Sequence, residues 1–102
     1  MRVHLVKKST IKKYAENNPH SSDALNAWLR TIKKANWNYP VDILQDFSSA
    51  DILGNGSNRV VFDIVGNRYR IICEYRFGLG KVHLYECWIG THTQYTRMCN
   101  DG

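Results

Sequence analysis

A chain of 102 residues, 43% of them apolar, can build one modest hydrophobic core and is too short for two ordinary domains. Its formal charge of +5 sits in two blocks: residues 1–34 hold eight Lys/Arg against two acids and residues 59–102 hold six against four, whereas residues 35–58 hold three Asp and no Lys or Arg. Such blocks suit a polyanion or simply a solvated basic surface, and with no long apolar run, the opening Met1-Arg-Val-His-Leu-Val6 included, neither a membrane segment nor a secretory signal is expected.

Arg2 to Val6 reads as a short first strand. Ser9 or Thr10 offers a cap for a helix running to about Asn17, and Asn18-Pro19 ends it. Ser21-Ser22-Asp23 offers cap oxygens for a longer second helix. In that helix Leu25, Trp28, Leu29 and Ile32 fall at i, i+3, i+4 and i+7, one apolar stripe, with Asn26, Arg30, Lys33 and Lys34 largely off it. The helix should pack on a sheet with its basic side outward. Tyr39-Pro40 breaks the chain. Val41 to Phe47 then predicts a further helical turn with Ile43, Leu44 and Phe47 inward, and Ser48 to Ser57, around Gly54-Asn55-Gly56, predicts a loop.

A basic β-meander follows, with strands near 59–65, 68–77 and 81–89. Val60, Phe62 and Ile64 alternate with Arg59, Val61 and Asp63, the period of two of a half-buried strand. Gly66-Asn67 supplies two residues tolerant of positive φ for a tight hairpin. Beyond it Tyr69, Ile71, Cys73 and Tyr75 alternate with Arg68, Arg70, Ile72, Glu74 and Arg76. One face of the hairpin is apolar and the other carries arginines, a face that has to meet water or an anion. A two-residue turn at Gly66-Asn67 also places Asp63 opposite Arg70 and Arg59 opposite Glu74, a stabilising cross-strand arrangement in its own right. Gly78-Leu79-Gly80 turns the second pair of strands, and the face of Trp88 depends on whether that loop has two or three residues. Helices first and a meander later predict an α+β domain over residues 1–102: an antiparallel sheet of the short N-terminal strand and the three-stranded meander, two packing helices, and a short C-terminal helix. Cys73, Cys87 and Cys99 form no Cys-x-x-Cys pair, which points to reduced thiols in a cytoplasmic protein and away from zinc.

The run Arg59-Val-Val-Phe-Asp-Ile-Val-Gly-Asn-Arg-Tyr-Arg70 and the run Ile89-Gly-Thr-His-Thr-Gln-Tyr95 resemble the two signature segments of the HigB family, toxins of type II toxin–antitoxin systems within the RelE-like group. Trp37, Val41-Asp-Ile-Leu44 and Phe47-Ser-Ser-Ala-Asp51 fit the same pattern, so the resemblance spans essentially the whole chain. Asp63 stands where the family usually has Asn, and Thr93, Gln94 and Thr96 stand where Ala, Glu and Asp are usual, leaving the terminal helix less acidic. The resemblance implies a small α+β endoribonuclease that cuts messenger RNA on the translating ribosome. It also implies a cognate HigA-like helix-turn-helix antitoxin, with which the toxin forms a hetero-oligomer. No cofactor or metal is needed if the RNA's own 2′-hydroxyl is the nucleophile. The protein must then take one proton, give another, and stabilise charge on phosphorus.

His92, behind Gly90 at a strand-to-helix junction, is the candidate for proton transfer, since histidine is the side chain that exchanges a proton near neutral pH. Its ordinary alternative is a helix cap or a local hydrogen bond. Tyr95, one helical turn on, can stack on a splayed base or bond the reacting phosphate, or merely pack beneath the sheet. Arg70 is the phosphate candidate, because RelE-like enzymes carry an arginine at the matching place, and its alternative is the cross-strand pair with Asp63. Arg59, Arg68, Arg76 and Lys81 are candidates for positioning RNA. Lys7, Lys8, Lys12 and Lys13 read as a solvated face, and His4, His20 and His83 have no motif behind them. Trp28 belongs to the apolar stripe, hence to the core. The rival reading of the chain is a basic RNA- or ribosome-binding module, or a degenerate toxin that binds its antitoxin without cutting.

Overall fold

The computed structural model describes residues 1–54, 56–66 and 68–101, with the side chains of all but Cys87, Cys99, Asn100 and Asp101. In chain order these form β1 (Arg2–Val6), α1 (Lys8–Asn17), α2 (Pro19–Lys34), a 3-10 turn (Pro40–Asp42), α3 (Ile43–Asp46), β2 (Asp51–Leu53), β3 (Arg59–Ile64), β4 (Tyr69–Gly78), β5 (Lys81–Thr91) and α4 (His92–Asp101). The five strands make one sheet in the order β1-β5-β4-β3-β2. The meander is antiparallel throughout, and β1 adds to it in parallel alongside β5, with His4 opposite His83.

The apolar alternation decides which side of the sheet is the core. Val60, Phe62 and Ile64 of β3, Ile71, Cys73 and Tyr75 of β4, and Val82 and Leu84 of β5 are buried together with Ile11 and Ala15 of α1 and Leu25, Trp28 and Ile32 of α2. An aromatic group fixes one end: Phe47 lies 4.9 Å from Phe62, and Trp28 lies 5.3 Å from the same ring, both near-perpendicular. Trp37 is fully buried, and its Nε1 donates to Asp46 Oδ2 at 2.8 Å, so the indole carries no unmet donor into the core.

Local chemistry moves several boundaries from where the sequence pattern suggests. The second helix starts at Pro19, not after Ser21-Ser22-Asp23: Pro occupies the first turn, where its missing N–H costs nothing, and Ser21 is buried with its hydroxyl donating to Asn18 O at 2.7 Å. Likewise the first helix begins at Lys8 behind Lys7 in the left-handed region, with no side-chain cap from Ser9 or Thr10. Ile43 is fully buried but Leu44 is exposed, because the 3-10 turn hands over to a single α-turn and rotates Leu44 out. The expected 48–57 loop contains β2, whose three residues are too few to show a period and which pairs antiparallel with the edge of β3.

The first hairpin has the register expected of a two-residue turn, Asp63 opposite Arg70 and Arg59 opposite Glu74. Asn67 lies outside the described residues. Gly66 takes φ +64°, and Val65 beside it takes +54°, a strained value for a β-branched side chain. The second hairpin turns on two residues, Leu79 and Gly80, both at positive φ as a type I′ turn requires.

Candidate functional site

With α1 and α2 on one face of the sheet, the opposite face carries α4 at one end only. Val61 and Ile72 point to this outer side and are buried there, outside the main core cluster. On β4 the outward row is Arg70, Ile72, Glu74 and Arg76. Across from it on β5 stand Gly90 (against Arg70), Trp88 (against Ile72), Tyr85 (against Glu74) and His83 (against Arg76). Tyr85 and Trp88 are three positions apart, and an unbroken strand would send them to opposite faces. A β-bulge at Ile72/Cys73, where β5 runs one residue ahead of β4, brings both onto the outer face. The face of Trp88 is thus set by the bulge as well as by the two-residue Leu79-Gly80 turn.

Arg70 is the centre of the group nearest α4. Its Nε donates to Asp63 Oδ1 at 3.0 Å across the strands, and its guanidinium carbon lies 4.5 Å from the centroid of the Tyr95 ring. Tyr95 in turn lies 6.1 Å from Trp88. A guanidinium placed over an aromatic ring and anchored at one edge is restricted in direction. The anchoring uses Nε, so the Nη groups are the ones an incoming phosphate would meet. Both readings of Arg70 therefore hold in one geometry: it is the cross-strand partner of Asp63 and it is set beside Tyr95.

The start of α4 explains the run around His92. Thr91 and Gln94 form a reciprocal capping box, with Thr91 N donating to Gln94 Oε1 at 2.8 Å and Gln94 N donating to Thr91 Oγ1 at 3.1 Å. Gln in place of an acid keeps this cap, so the departure at position 94 has a structural use. Gly90 is tightly enclosed: a Cβ there would come within 2.6 Å of the Trp88 ring and 2.7 Å of Gln94 Oε1, so one of these side chains would have to shift. His92, the first residue of the helix, is half-buried. Its backbone N–H donates to Arg68 O at 2.7 Å, and its Nδ1 is buried with no hydrogen-bond partner among the described residues. Thr96 Oγ1 donates back to His92 O at 3.0 Å, so position 96 also serves the helix. His92 stands one turn from Tyr95, at the junction that the Arg68 carbonyl ties to the first hairpin.

The remaining basic candidates spread along the outer face rather than joining this group. Arg59 is exposed at the start of β3, and Lys81 is exposed at the start of β5 opposite Gly78. Arg68 is exposed in the hairpin and contributes its backbone to the α4 junction. Arg76 donates from Nε to Glu74 Oε1 at 2.8 Å, which holds the guanidinium still more firmly protonated, and it lies 5.6 Å from the Tyr85 ring centroid. Tyr85 stacks against His83 with planes 24° apart, and His83 meets His4 edge-on at 5.9 Å. Sequence reasoning found no motif behind His83 and did not consider Tyr85. The period-two spacing of the two on β5 was the available signal.

A cleft of about 710 Å³ lies at the far edge of the sheet, bordered by Asn38 to Pro40, Ser57, Asn58 and residues 74–77 of β4, so among the basic candidates it takes in Arg76 alone. The Arg70–Tyr95 group sits instead on an open sheet surface, a form suited to a chain-like substrate. Among the described residues no group of three or more His, Cys, Asp or Glu is placed to hold a metal ion, and no helix is long and apolar enough to cross a membrane.

A search of curated proteins gives no match. The profile of the HigB_toxin family, described as the RelE-like toxic component of a toxin–antitoxin system, matches residues 21–98, a stretch running from the start of α2 through Tyr95 and into α4. That match takes in most of the chain and every residue of the Arg70–Tyr95–His92 group, and the α+β architecture with helices on one face of the sheet agrees with it: the chain belongs to the HigB toxin family.

Proposed function

We propose that this protein is the endoribonuclease of a type II toxin–antitoxin pair, cutting messenger RNA in the cytoplasm on the translating ribosome. The observation that carries the reading is the Arg70 guanidinium laid on Tyr95 at 4.5 Å on an open, basic sheet face, with His92 one helical turn away. In the reaction the ribose 2′-oxygen attacks the adjacent phosphorus as its proton is removed. The bond from phosphorus to the 5′-oxygen breaks, that oxygen takes a proton, and the products are a 2′,3′-cyclic phosphate and a 5′-hydroxyl. His92 moves a proton, Arg70 stabilises the charge that builds on the phosphoryl oxygens, and Tyr95 orients the nucleotide. Arg59, Arg68, Arg76 and Lys81 hold the polyanion along the face. No step of this scheme requires a cofactor.

A nuclease directed at its host's messages has to be restrained. The expected partner is a HigA-like helix-turn-helix antitoxin whose acidic and apolar residues cover the basic surface, either occupying the site or making the toxin too bulky for the ribosome. Induced alone, the protein should arrest growth, and mapping of transcript 5′ ends should show cuts inside translated regions. Co-expression with the neighbouring reading frame should restore growth and yield a co-purifying complex. Normal growth and intact transcripts at confirmed soluble expression would leave a binding module in place of a nuclease.

A further inference from the structure

The outer face carries a second arginine–aromatic group that the reaction chemistry does not use. Arg76 lies over Tyr85 at 5.6 Å, Tyr85 stacks on His83, and His83 meets His4 of the neighbouring strand. Like the Arg70–Tyr95–Trp88 group it sets an arginine over a tyrosine that has a second ring beside it, here a histidine in place of a tryptophan. The two arginines are six residues apart on β4, which at the usual rise per residue separates the groups by about 20 Å. The period of two along β4 puts both arginines on one face, and the β-bulge brings Trp88 of β5 to the same side as Tyr85. Between the groups stand Ile72 and Val61, both buried, and Glu74, whose carboxylate is paired with Arg76.

We propose that the Tyr85–His83 pair, with Arg76 above it and His4 at its rim, is a remote stacking subsite for single-stranded RNA. It would take the base of a nucleotide a few positions from the one at Tyr95. The proposal rests on the ribonuclease reading and extends it, by naming an unpaired RNA segment several nucleotides long as the substrate. Three features favour a base here. Every base has a π face, so aromatic platforms along a strand hold single-stranded RNA without reading its sequence. Duplex RNA offers no splayed bases to such rings. Arg76 remains 68% exposed although it is paired with Glu74, so it can meet a phosphate beside the stacked base.

The test uses full-length protein carrying His92→Gln, so that RNA survives the measurement. An RNA octamer with a single 4-thiouridine moved along it is cross-linked, and the adducts are mapped. One position should label the Trp88/Tyr95 region and a position a few nucleotides away should label the 81–86 segment. Tyr85→Leu should weaken octamer binding about 10-fold, and the loss should shrink as the RNA is shortened to a dinucleotide. His4→Ala, at an exposed edge position, is the second variant and guards against misfolding at half-buried Tyr85. It should weaken octamer binding less than Tyr85→Leu, with an unchanged circular-dichroism spectrum. Cross-links confined to the helices or to β2, or octamer affinity indifferent to both substitutions, would overturn the subsite. Cross-linking at Tyr85 by a protein whose parent never cuts RNA in cells would instead leave the subsite standing and remove the nuclease.

Discussion

Arg70 of β4 lies over the ring of Tyr95 of the terminal helix, at 4.5 Å from guanidinium carbon to ring centroid. Asp63 holds the same guanidinium from the other side at 3.0 Å. Both carboxylate and guanidinium are about three-quarters shielded, so the pair is firmer than a fully exposed one, yet cross-strand pairs of this kind contribute only about 0.2–1 kcal/mol. Arg70→Ala should therefore cost little stability and cut the cleavage rate by about 10²–10³-fold, the usual loss when one charge-stabilising donor is removed. Asp63→Ala should cost about as much stability and keep most of the activity. A double-mutant cycle in chemical denaturation, read beside cleavage rates, separates the two roles. Equal loss of activity in both single variants would mean that Arg70 acts only when Asp63 orients it.

For His92 the expected outcome is a loss of about 10²–10⁴-fold in cleavage on replacement by Gln, which keeps a polar side chain but cannot exchange a proton near neutrality. Ribosome and RNA binding should persist, since the helix junction rests on the His92 backbone N–H and not on the ring. The measurement is single-turnover cutting of a programmed message. Undiminished cutting by the variant would assign His92 to structure.

The junction itself gives a third prediction. Gly90→Ala places a methyl group against the Trp88 ring and the Gln94 amide, so one of them has to move. We expect a destabilisation of about 1–3 kcal/mol and a loss of cutting, because Trp88 is the neighbour of Tyr95. Gln94→Ala removes one arm of the capping box and should cost about 0.5–2 kcal/mol. Gln94→Glu keeps the arm, adds a negative charge at a helix N-terminus, and should match or exceed the parent. Thermal melts of the three variants decide this.

How far these features could be read from residues alone follows from how local their causes are. The β3–β4 pairing was legible because alternation and a Gly-Asn turn fix register together, and Asp63 does stand opposite Arg70. The α2 stripe was legible for the same reason, Leu25, Trp28 and Ile32 being buried at helical spacing. The start of α2 was not, since Ser21 resembles a cap and only packing shows that it is buried inside the first turn. β2 is three residues long and exists by pairing with β3, so no periodicity precedes it. At the site, the His92–Tyr95 helix start followed from the family resemblance. The row from Tyr85 to Trp88 did not, because one bulge residue changes the face of everything beyond it and leaves no mark in composition.

The last prediction concerns acid stability. Glu86 faces the side of the sheet covered by α1, and burial pushes its carboxyl above the usual range, partly opposed by the positive charge of Lys7 at the start of that helix. A carboxyl whose folded value is raised binds its proton more tightly in the folded state than in the unfolded chain. Its favourable contribution is complete below the ordinary carboxylate range and is lost as pH rises through the raised value. At neutral pH the ionised Glu86 is then a small liability. Solvent still reaches much of the group, which keeps the effect below about 1 kcal/mol. Glu86→Gln should raise the melting temperature at pH 7, have little effect near pH 4, and flatten the profile between. Lys7→Gln should do the reverse at pH 7, because it removes the charge that offsets burial, and it should have less effect once Glu86 is already Gln. Melting curves of the two single variants and the double variant across this range are the check. An unchanged slope in Glu86→Gln would mean that other carboxylates govern the acid limb.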